Sequence, residues 1–177
     1  MAEKIRVLLS EEEVNRRITE IGEQISKEFE GEDVHLICVL RGSTFFTCEL
    51  AKRITVPVTI DFMQVSSYGS QTLSSGKIKM VKELDDSIMG KNVIVIEDII
   101  DTGRTLNDVV KMLKARNPLS LSVVTLLDKP SRRKVEFTPD YVGKVIPDKF
   151  VFGYGLDLFE KYRDLPFVAV VNPDYIK

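Results

Sequence analysis

Tryptophan is missing from this chain, histidine occurs once and cysteine twice. The single histidine, His35, rules out a histidine-rich metal cage, and no Ser-His-Asp or Cys-His constellation accompanies it, which argues against a covalent hydrolase. His35 opens an apolar run and reads as structural. Cys38 and Cys48 form no Cys-x-x-Cys and read as buried free thiols, not a disulfide or a metal pair. No stretch approaches the run of ~18 apolar residues needed to cross a bilayer. Charge of one sign is also lacking: 25 Lys+Arg stand against 27 Asp+Glu, a net charge of -2. That balance excludes a nucleic-acid binder relying on overall positive charge, and leaves only local positive charge for an anionic ligand. With no long apolar stretch after Met1, the expected setting is the reduced cytoplasm, away from membranes.

What is present suits one hydrophobic core. The 177 residues, 44% of them apolar and 29% charged, are expected to form a single domain over 1–177. No repeat, low-complexity tract or linker interrupts them. Ser10 and Glu13 resemble a capping box, and Val14, Ile18, Ile21 and Ile25 recur at helical spacing, predicting a helix over 11–29. His35–Leu40 reads as a buried strand, Thr44–Arg53 as a helix and Val56–Val65 as a strand. Residues 66–77 are polar and read as a surface loop. Strands follow at 78–81 and Val93–Ile96, the second apolar at four consecutive positions, as in a strand covered on both faces. Leu106, Val109, Val110 and Leu113 mark a helix, and Leu121–Leu127 the next strand. This is a βαβ unit, normally parallel and right-handed. Short strands near Tyr141–Val145, Phe150–Phe152 and Phe167–Val171 complete an α/β pattern.

The chemistry concentrates in one segment, Val93-Ile-Val-Ile-Glu-Asp-Ile-Ile-Asp-Thr-Gly-Arg-Thr-Leu106. A buried strand delivers Glu97 and Asp98 at its carboxyl end, where ligands bind in open α/β sheets. Asp101-Thr-Gly-Arg-Thr105 then turns into a helix, offering unpaired amides and the positive end of the helix dipole to an anion. Gly103 permits close backbone approach, and Thr102 and Thr105 add hydroxyls. Acids and threonine before a helix also serve as ordinary N-caps. A loop built for phosphate alone, however, should avoid three carboxylates, which repel it. Their presence points to a ligand that combines phosphate with hydroxyls, a metal or a developing cation, as a ribose phosphate does. The glycine patterns of Walker A and dinucleotide-binding loops are missing.

This segment resembles the signature of the type I phosphoribosyltransferases, specifically the hypoxanthine-guanine branch. Val39-Leu-Arg-Gly-Ser, Ser66-Ser-Tyr-Gly, Leu126-Leu-Asp-Lys-Pro, Pro147-Asp-Lys-Phe-Val-Phe-Gly-Tyr-Gly-Leu-Asp157 and Tyr162-Arg-Asp-Leu-Pro are similar to family segments, in family order, over nearly the whole chain. The resemblance implies a twisted, mainly parallel sheet flanked by helices, with a small hood of short strands. It implies transfer of 5-phosphoribosyl from 5-phosphoribosyl-1-pyrophosphate to hypoxanthine or guanine in purine salvage, with Mg2+. Glu97 and Asp98 would hold the ribose hydroxyls and magnesium, Asp101 would be the general base, and Thr102, Gly103, Arg104 and Thr105 would cradle the 5′-phosphate. Arg41, Gly42 and Arg163 would bind pyrophosphate, with the bond before Arg41 often cis in this family. Lys129, Phe150, Val151 and Asp157 would contact the purine, Asp157 also helping to hold a second magnesium. Ser67 and Tyr68 would belong to a flexible loop closing over the site. A homo-oligomer, dimer or tetramer, is the family's usual state.

Without the resemblance several readings stay open. Arg41-Gly42 is also an ordinary strand-to-helix turn, Lys129 an exposed lysine, and Phe150-Val151 a plain core strand. Rival functions are a related transferase preferring guanine or xanthine, a regulator that binds the sugar phosphate or RNA on the same fold, and a generic phosphosugar module. Asp101 and the set Lys129, Phe150 and Asp157 argue against the last two.

Overall fold

Ser10 starts the first helix as its spacing predicts. Its hydroxyl accepts from the Glu13 amide and the Glu13 carboxylate accepts from the Ser10 amide, both at 3.2 Å. The computed structural model describes residues 5–67 and 78–171. Its elements are β1 (Ile5–Leu9), α1 (Glu11–Glu28), β2 (Val34–Val39), α2 (Thr44–Ala51), β3 (Val58–Ser67), β4 (Ile78–Lys82), β5 (Asn92–Ile100), α3 (Arg104–Lys114), β6 (Ser120–Asp128), β7 (Tyr141–Val145), β8 (Val151–Phe152) and β9 (Val168–Val171). No helix among the described residues is long and apolar enough to cross a membrane.

Six strands form one sheet in the order β4-β3-β2-β5-β6-β7. Five of them run parallel, and β4 pairs antiparallel with β3 at the edge. Both faces are covered, which is why the central strands are apolar at consecutive positions. Leu36, Ile94, Ile96, Val124 and Leu126 pack against Val14, Ile18, Ile21 and Ile25 of α1 and Phe46 and Leu50 of α2. Ile37, Val39, Val93, Val95 and Val123 point the other way, onto Leu106, Val109, Val110 and Leu113 of α3. The chain leaves β2 toward one edge of the sheet and leaves β5 toward the other. The strand order therefore reverses between β2 and β5, and the crevice beyond their carboxyl ends is where such sheets bind ligands.

The short strands form a separate three-stranded antiparallel sheet, β1-β9-β8. Its first member, β1, is absent from the sequence reading. Ile5, Val7 and Leu9 alternate with Arg6 and Leu8, a strand-like period, but five residues beside the chain start carry too weak a signal. β5 is longer than expected, so Glu97 and Asp98 lie within its last turns of pleat instead of after it. β3 likewise extends to Ser67. Cys48, expected to be buried, is exposed on α2, whereas Cys38 is buried on β2; neither is in a disulfide.

Candidate active site

At the switch between β2 and β5 a cleft of about 240 Å3 is lined by Leu40, Glu97, Asp101, Thr102, Gly103 and Thr105, among others. The backbone builds its floor. Gly103, at φ 76°, is the N-cap of α3, and it carries no side-chain acceptor for the first-turn amides. Thr102 Oγ1 accepts from Arg104 N at 3.4 Å. Neither Asp101 nor Thr102 is therefore the N-cap. The first turn keeps amide donors toward the cleft, which suits a phosphate. Arg104 is exposed and lies outside the cleft lining.

Glu97 and Asp98 each keep a partly exposed edge, but their carboxyls lie deep among protein atoms. Burial, then the neighbouring Asp98 charge, pushes Glu97 well above the usual carboxylate range. Burial pushes Asp98 up too, while the Glu97 carboxyl, the Ile99 amide and the Arg163 charge oppose it. Two like charges held side by side at low exposure call for a cation.

Gly42 is required by this arrangement. A Cβ there would stand 1.5 Å from Asp98 Oδ2, so the 41–42 turn lies directly on the acid. The Leu40–Arg41 peptide is cis. On the far side of the same turn Gly155, at φ +96°, has room for no side chain: a Cβ would meet Gly42 O at 1.9 Å. Arg163 then anchors the Gly155 turn, donating through Nη1 to Gly155 O at 2.7 Å, and its backbone O accepts from Gly155 N at 2.8 Å. Asp98, Gly42, Gly155 and Arg163 thus form one stack. Asp157 Oδ1 lies 3.0 Å from Arg163 Nη2, and Arg41 Nη1 donates to Glu160 Oε2 at 3.2 Å.

The β5–β6 register brings in the next group. Ile100 pairs with Asp128, so Asp101 and Lys129 follow side by side, and Lys129 N donates to Ile100 O at 2.9 Å. Lys129 is buried, not the exposed lysine its composition allowed. Asp101 Oδ1 accepts from Arg132 Nε at 3.0 Å, and the same guanidinium reaches Asp148 Oδ2 at 3.4 Å. Arg132 thereby ties the base candidate to the segment that leads into Phe150, which is 52% exposed, and Val151, which is buried. Lys129, Phe150, Val151 and Asp157 are not in the cleft lining. Of the expected loop residues, Ser67 ends β3 and Tyr68 lies outside the described residues, as do 69–77.

Sequence reasoning missed four functional neighbours: Arg132, Arg133, Gly155 and Glu160. Arg133 donates to Asp101 O at 2.8 Å, to Phe137 O at 3.1 Å and to Asp128 Oδ1 at 2.5 Å. It fixes the backbone of the cleft turn from behind. The Arg-Arg pair two positions after Pro130 was its only visible signal.

A mainly parallel sheet with this reversal, a carboxylate pair at the switch and an amide-rich turn after it make an α/β nucleotide-type site, and the chain belongs to the phosphoribosyl transferase domain family, whose sequence pattern matches residues 7–158. Within it the similarity is to hypoxanthine-guanine enzymes. The hypoxanthine-guanine phosphoribosyltransferase of Bacillus subtilis strain 168 is 45% identical over 168 residues, covering 95% of this chain and 93% of that protein. A crystal structure of a Staphylococcus aureus hypoxanthine phosphoribosyltransferase superposes with a TM-score of 0.93 at 45% identity, covering 97% of this chain and 94% of that one. A bifunctional protein TilS/HprT of Listeria monocytogenes is 48% identical over 169 residues; the match takes in 96% of this chain but only 26% of that protein's length.

Proposed function

We propose that this chain transfers the 5-phosphoribosyl group of 5-phosphoribosyl-1-pyrophosphate to hypoxanthine or guanine, giving the nucleoside monophosphate and pyrophosphate. The observation that carries the reading is the buried Glu97-Asp98 pair at the switch, beside an amide-rich helix start. Few ligands other than a ribose phosphate want both. The purine N9 attacks C1′, the bond from C1′ to the pyrophosphate oxygen breaks, and its electron pair leaves with pyrophosphate. Glu97 and Asp98 face the ribose hydroxyls, where charged acceptors bind strongly, and their field favours the positive charge that develops at C1′. The turn 102–105 takes the 5′-phosphate. Asp101 accepts the N7 proton. Its Oδ1 is held by Arg132, and no bond among the described residues engages Oδ2, which we assign to N7–H.

Lys129 donates to the purine O6. An ammonium gives protons to a 6-oxo group but cannot accept them from a 6-amino group, so adenine is rejected. Phe150 offers a ring face to the base, and the Val151 and Asp157 carbonyls face the 2-position. Arg41, Gly42 and Arg163 take the leaving pyrophosphate.

The donor set fits magnesium. No cluster of three His, Cys, Asp or Glu side chains capable of holding a metal occurs among the described residues. Magnesium needs no such cage, because it commonly takes one or two carboxylates and completes its shell with water and substrate phosphates. Glu97 and Asp98 would hold one ion and Asp157 would help hold a second, and a bound ion there would supply positive charge opposite the leaving pyrophosphate. A cytoplasmic homo-oligomer, dimer or tetramer, completes the reading.

The test is turnover of hypoxanthine, guanine, xanthine and adenine with and without magnesium. The expected result is magnesium-dependent inosine and guanosine monophosphate, with xanthine and adenine left unconverted. A protein that binds the sugar phosphate or RNA yet releases no pyrophosphate in a single turnover with hypoxanthine overturns the proposal in favour of a regulator.

A further inference from the structure

Arg41 and Arg163 reach the pyrophosphate region from different segments, one at the end of β2 and one after the 153–162 turns. Both meet a single carboxylate. Glu160 Oε2 lies 3.2 Å from Arg41 Nη1 and 3.8 Å from Arg163 Nη2. No other side chain among the described residues spans this pair of cations. Glu160 is not there by the drift of a long side chain alone. Phe159, Glu160 and Tyr162 all hold positive φ, at 54°, 61° and 68°, a region that non-glycine residues avoid unless the surroundings impose it. The turn is closed by Leu158 N donating to Lys161 O at 3.0 Å and Lys161 N donating back to Leu158 O at 3.2 Å. Asp157 Oδ2 accepts from Glu160 N at 2.9 Å and pins the backbone beneath the side chain.

We propose that Glu160 is a built-in competitor for the pyrophosphate cations: it sits where an anionic oxygen of the ligand would sit, and pyrophosphate must displace it from Arg41 and Arg163. This rests on the phosphoribosyltransferase reading, which assigns those two arginines to pyrophosphate. The magnitudes suit the role. Glu160 is 74% exposed and the Arg41 side chain 63%, so that pair is a weak surface pair, and the contact to the 26% exposed Arg163 is long at 3.8 Å. Such contacts keep two guanidinium groups aimed at the site without a ligand, and they yield to pyrophosphate, whose multiple charged oxygens match guanidinium forks better than one carboxylate. The consequence is a ligand held less tightly than the cations alone would hold it, which favours release of the product pyrophosphate. Asp157 Oδ1, 3.0 Å from Arg163 Nη2, is the nearer carboxylate on that arginine.

The test is calorimetric titration of inorganic pyrophosphate in magnesium chloride into the full-length wild-type protein, Glu160→Gln and Glu160→Ala. Glu160→Gln keeps the size and removes the charge; Glu160→Ala removes the chain. Both variants are expected to bind pyrophosphate about three- to tenfold more tightly, the yield of two weak pairs. KM for 5-phosphoribosyl-1-pyrophosphate should fall in parallel, with KM for hypoxanthine unchanged. A purely structural role predicts the opposite sign, because a disordered 157–162 turn would weaken binding. Unchanged or weaker pyrophosphate binding in both variants, with normal binding by the wild type, overturns the competitor role alone. Absence of pyrophosphate binding by the wild type overturns the phosphoribosyltransferase reading, and the competitor role with it.

Discussion

The two ends of the parallel strands bury polar groups in opposite ways. At the amino end the bonds close on themselves. Asn92 Nδ2 donates to Glu32 Oε2 at 2.6 Å and to Asp33 O at 3.3 Å, and Asn92 Oδ1 accepts from Ser120 Oγ at 2.8 Å. Nearby, Asp61 is pushed up by burial, but the Phe62, Asp85 and Asp86 amides outweigh this and hold its carboxyl low. At the carboxyl end burial outweighs what opposes it: Glu97 and Asp98 stay pushed up although the Glu97 carboxyl, the Ile99 amide and the Arg163 charge pull Asp98 down, and the Gly42 backbone presses against Asp98. Burial that is locally repaid is structure; burial left with repulsion marks a place shaped for something charged. The contrast makes a prediction about substitution. Neutralising a group at the carboxyl end should cost function, and breaking a closed pair should cost stability.

The largest effect expected is on turnover. Asp101→Asn keeps the shape and removes the base, so kcat should fall by about 10²–10⁴-fold while affinity for the sugar phosphate changes little. Arg132→Ala, which removes the Asp101 partner but leaves the base, should cost far less. Steady-state kinetics of both variants decide it, and an Asp101→Asn kcat within a few-fold of wild type would remove Asp101 from the mechanism. Next in size is a closed pair that happens to lie at the carboxyl end. Arg133 and Asp128 are 14% and 8% exposed, with Nη2 to Oδ1 at 2.5 Å. Arg133→Met strands the Asp128 charge and should lower unfolding free energy by about 3–5 kcal/mol. A denaturant midpoint unmoved by Arg133→Met would show that the pair is not what braces the cleft turn.

Why some of this was legible and some not follows from the range of each interaction. The helix over 11–29 and the strand at Val93–Ile96 announced themselves because capping and burial are local and periodic. The candidate site segment was legible because Glu97, Asp98, Asp101 and the 102–105 turn fall within nine residues of one strand-to-helix step. Lys129 could be tied to the purine by resemblance, but its place beside Asp101 depends on the β5–β6 register, which no local pattern encodes. Arg132, Glu160 and Gly155 were illegible for the same reason. Their partners are Asp101, Arg41 and Gly42, each more than thirty residues away, and an arginine or a glutamate in a polar turn looks like any solvated charge. β1 escaped because its partner β9 stands at the opposite end of the chain.

A third substitution sharpens the contrast by separating stability from function. Glu97→Gln removes a carboxylate whose ionisation is opposed by burial and by Asp98. In the protein without substrate it should therefore raise Tm, by about 2–4 °C if the relief is near 1 kcal/mol, while transferase activity falls by about 10²-fold. A variant that loses both stability and activity would mean that Glu97 is a structural acid after all.

The smallest expected effect concerns the amino end, where, among the described residues, the buried His35 side chain is not fully satisfied. Its Nδ1 lies 2.7 Å from Thr59 Oγ1, while Nε2 has no partner among the described residues. Burial, then the Lys91 charge, holds its pKa below the usual imidazole value, against smaller opposing pulls from Asp61 and Asp86. The folded protein therefore binds fewer protons than the unfolded chain once the pH drops below the unfolded value of about 6.5. Stability on this account is full above about pH 6.5 and declines as the pH falls through it toward the lower folded value. His35→Asn keeps a polar atom near the Nδ1 position and cannot take a proton. Between pH 7.5 and 5.5 the wild type should lose more unfolding free energy than this variant, by at most about 1.4 kcal/mol. Urea midpoints at the two pH values measure the difference. Parallel losses in the two proteins would assign the acid sensitivity to other groups and make the amino end as closed as its remaining bonds suggest.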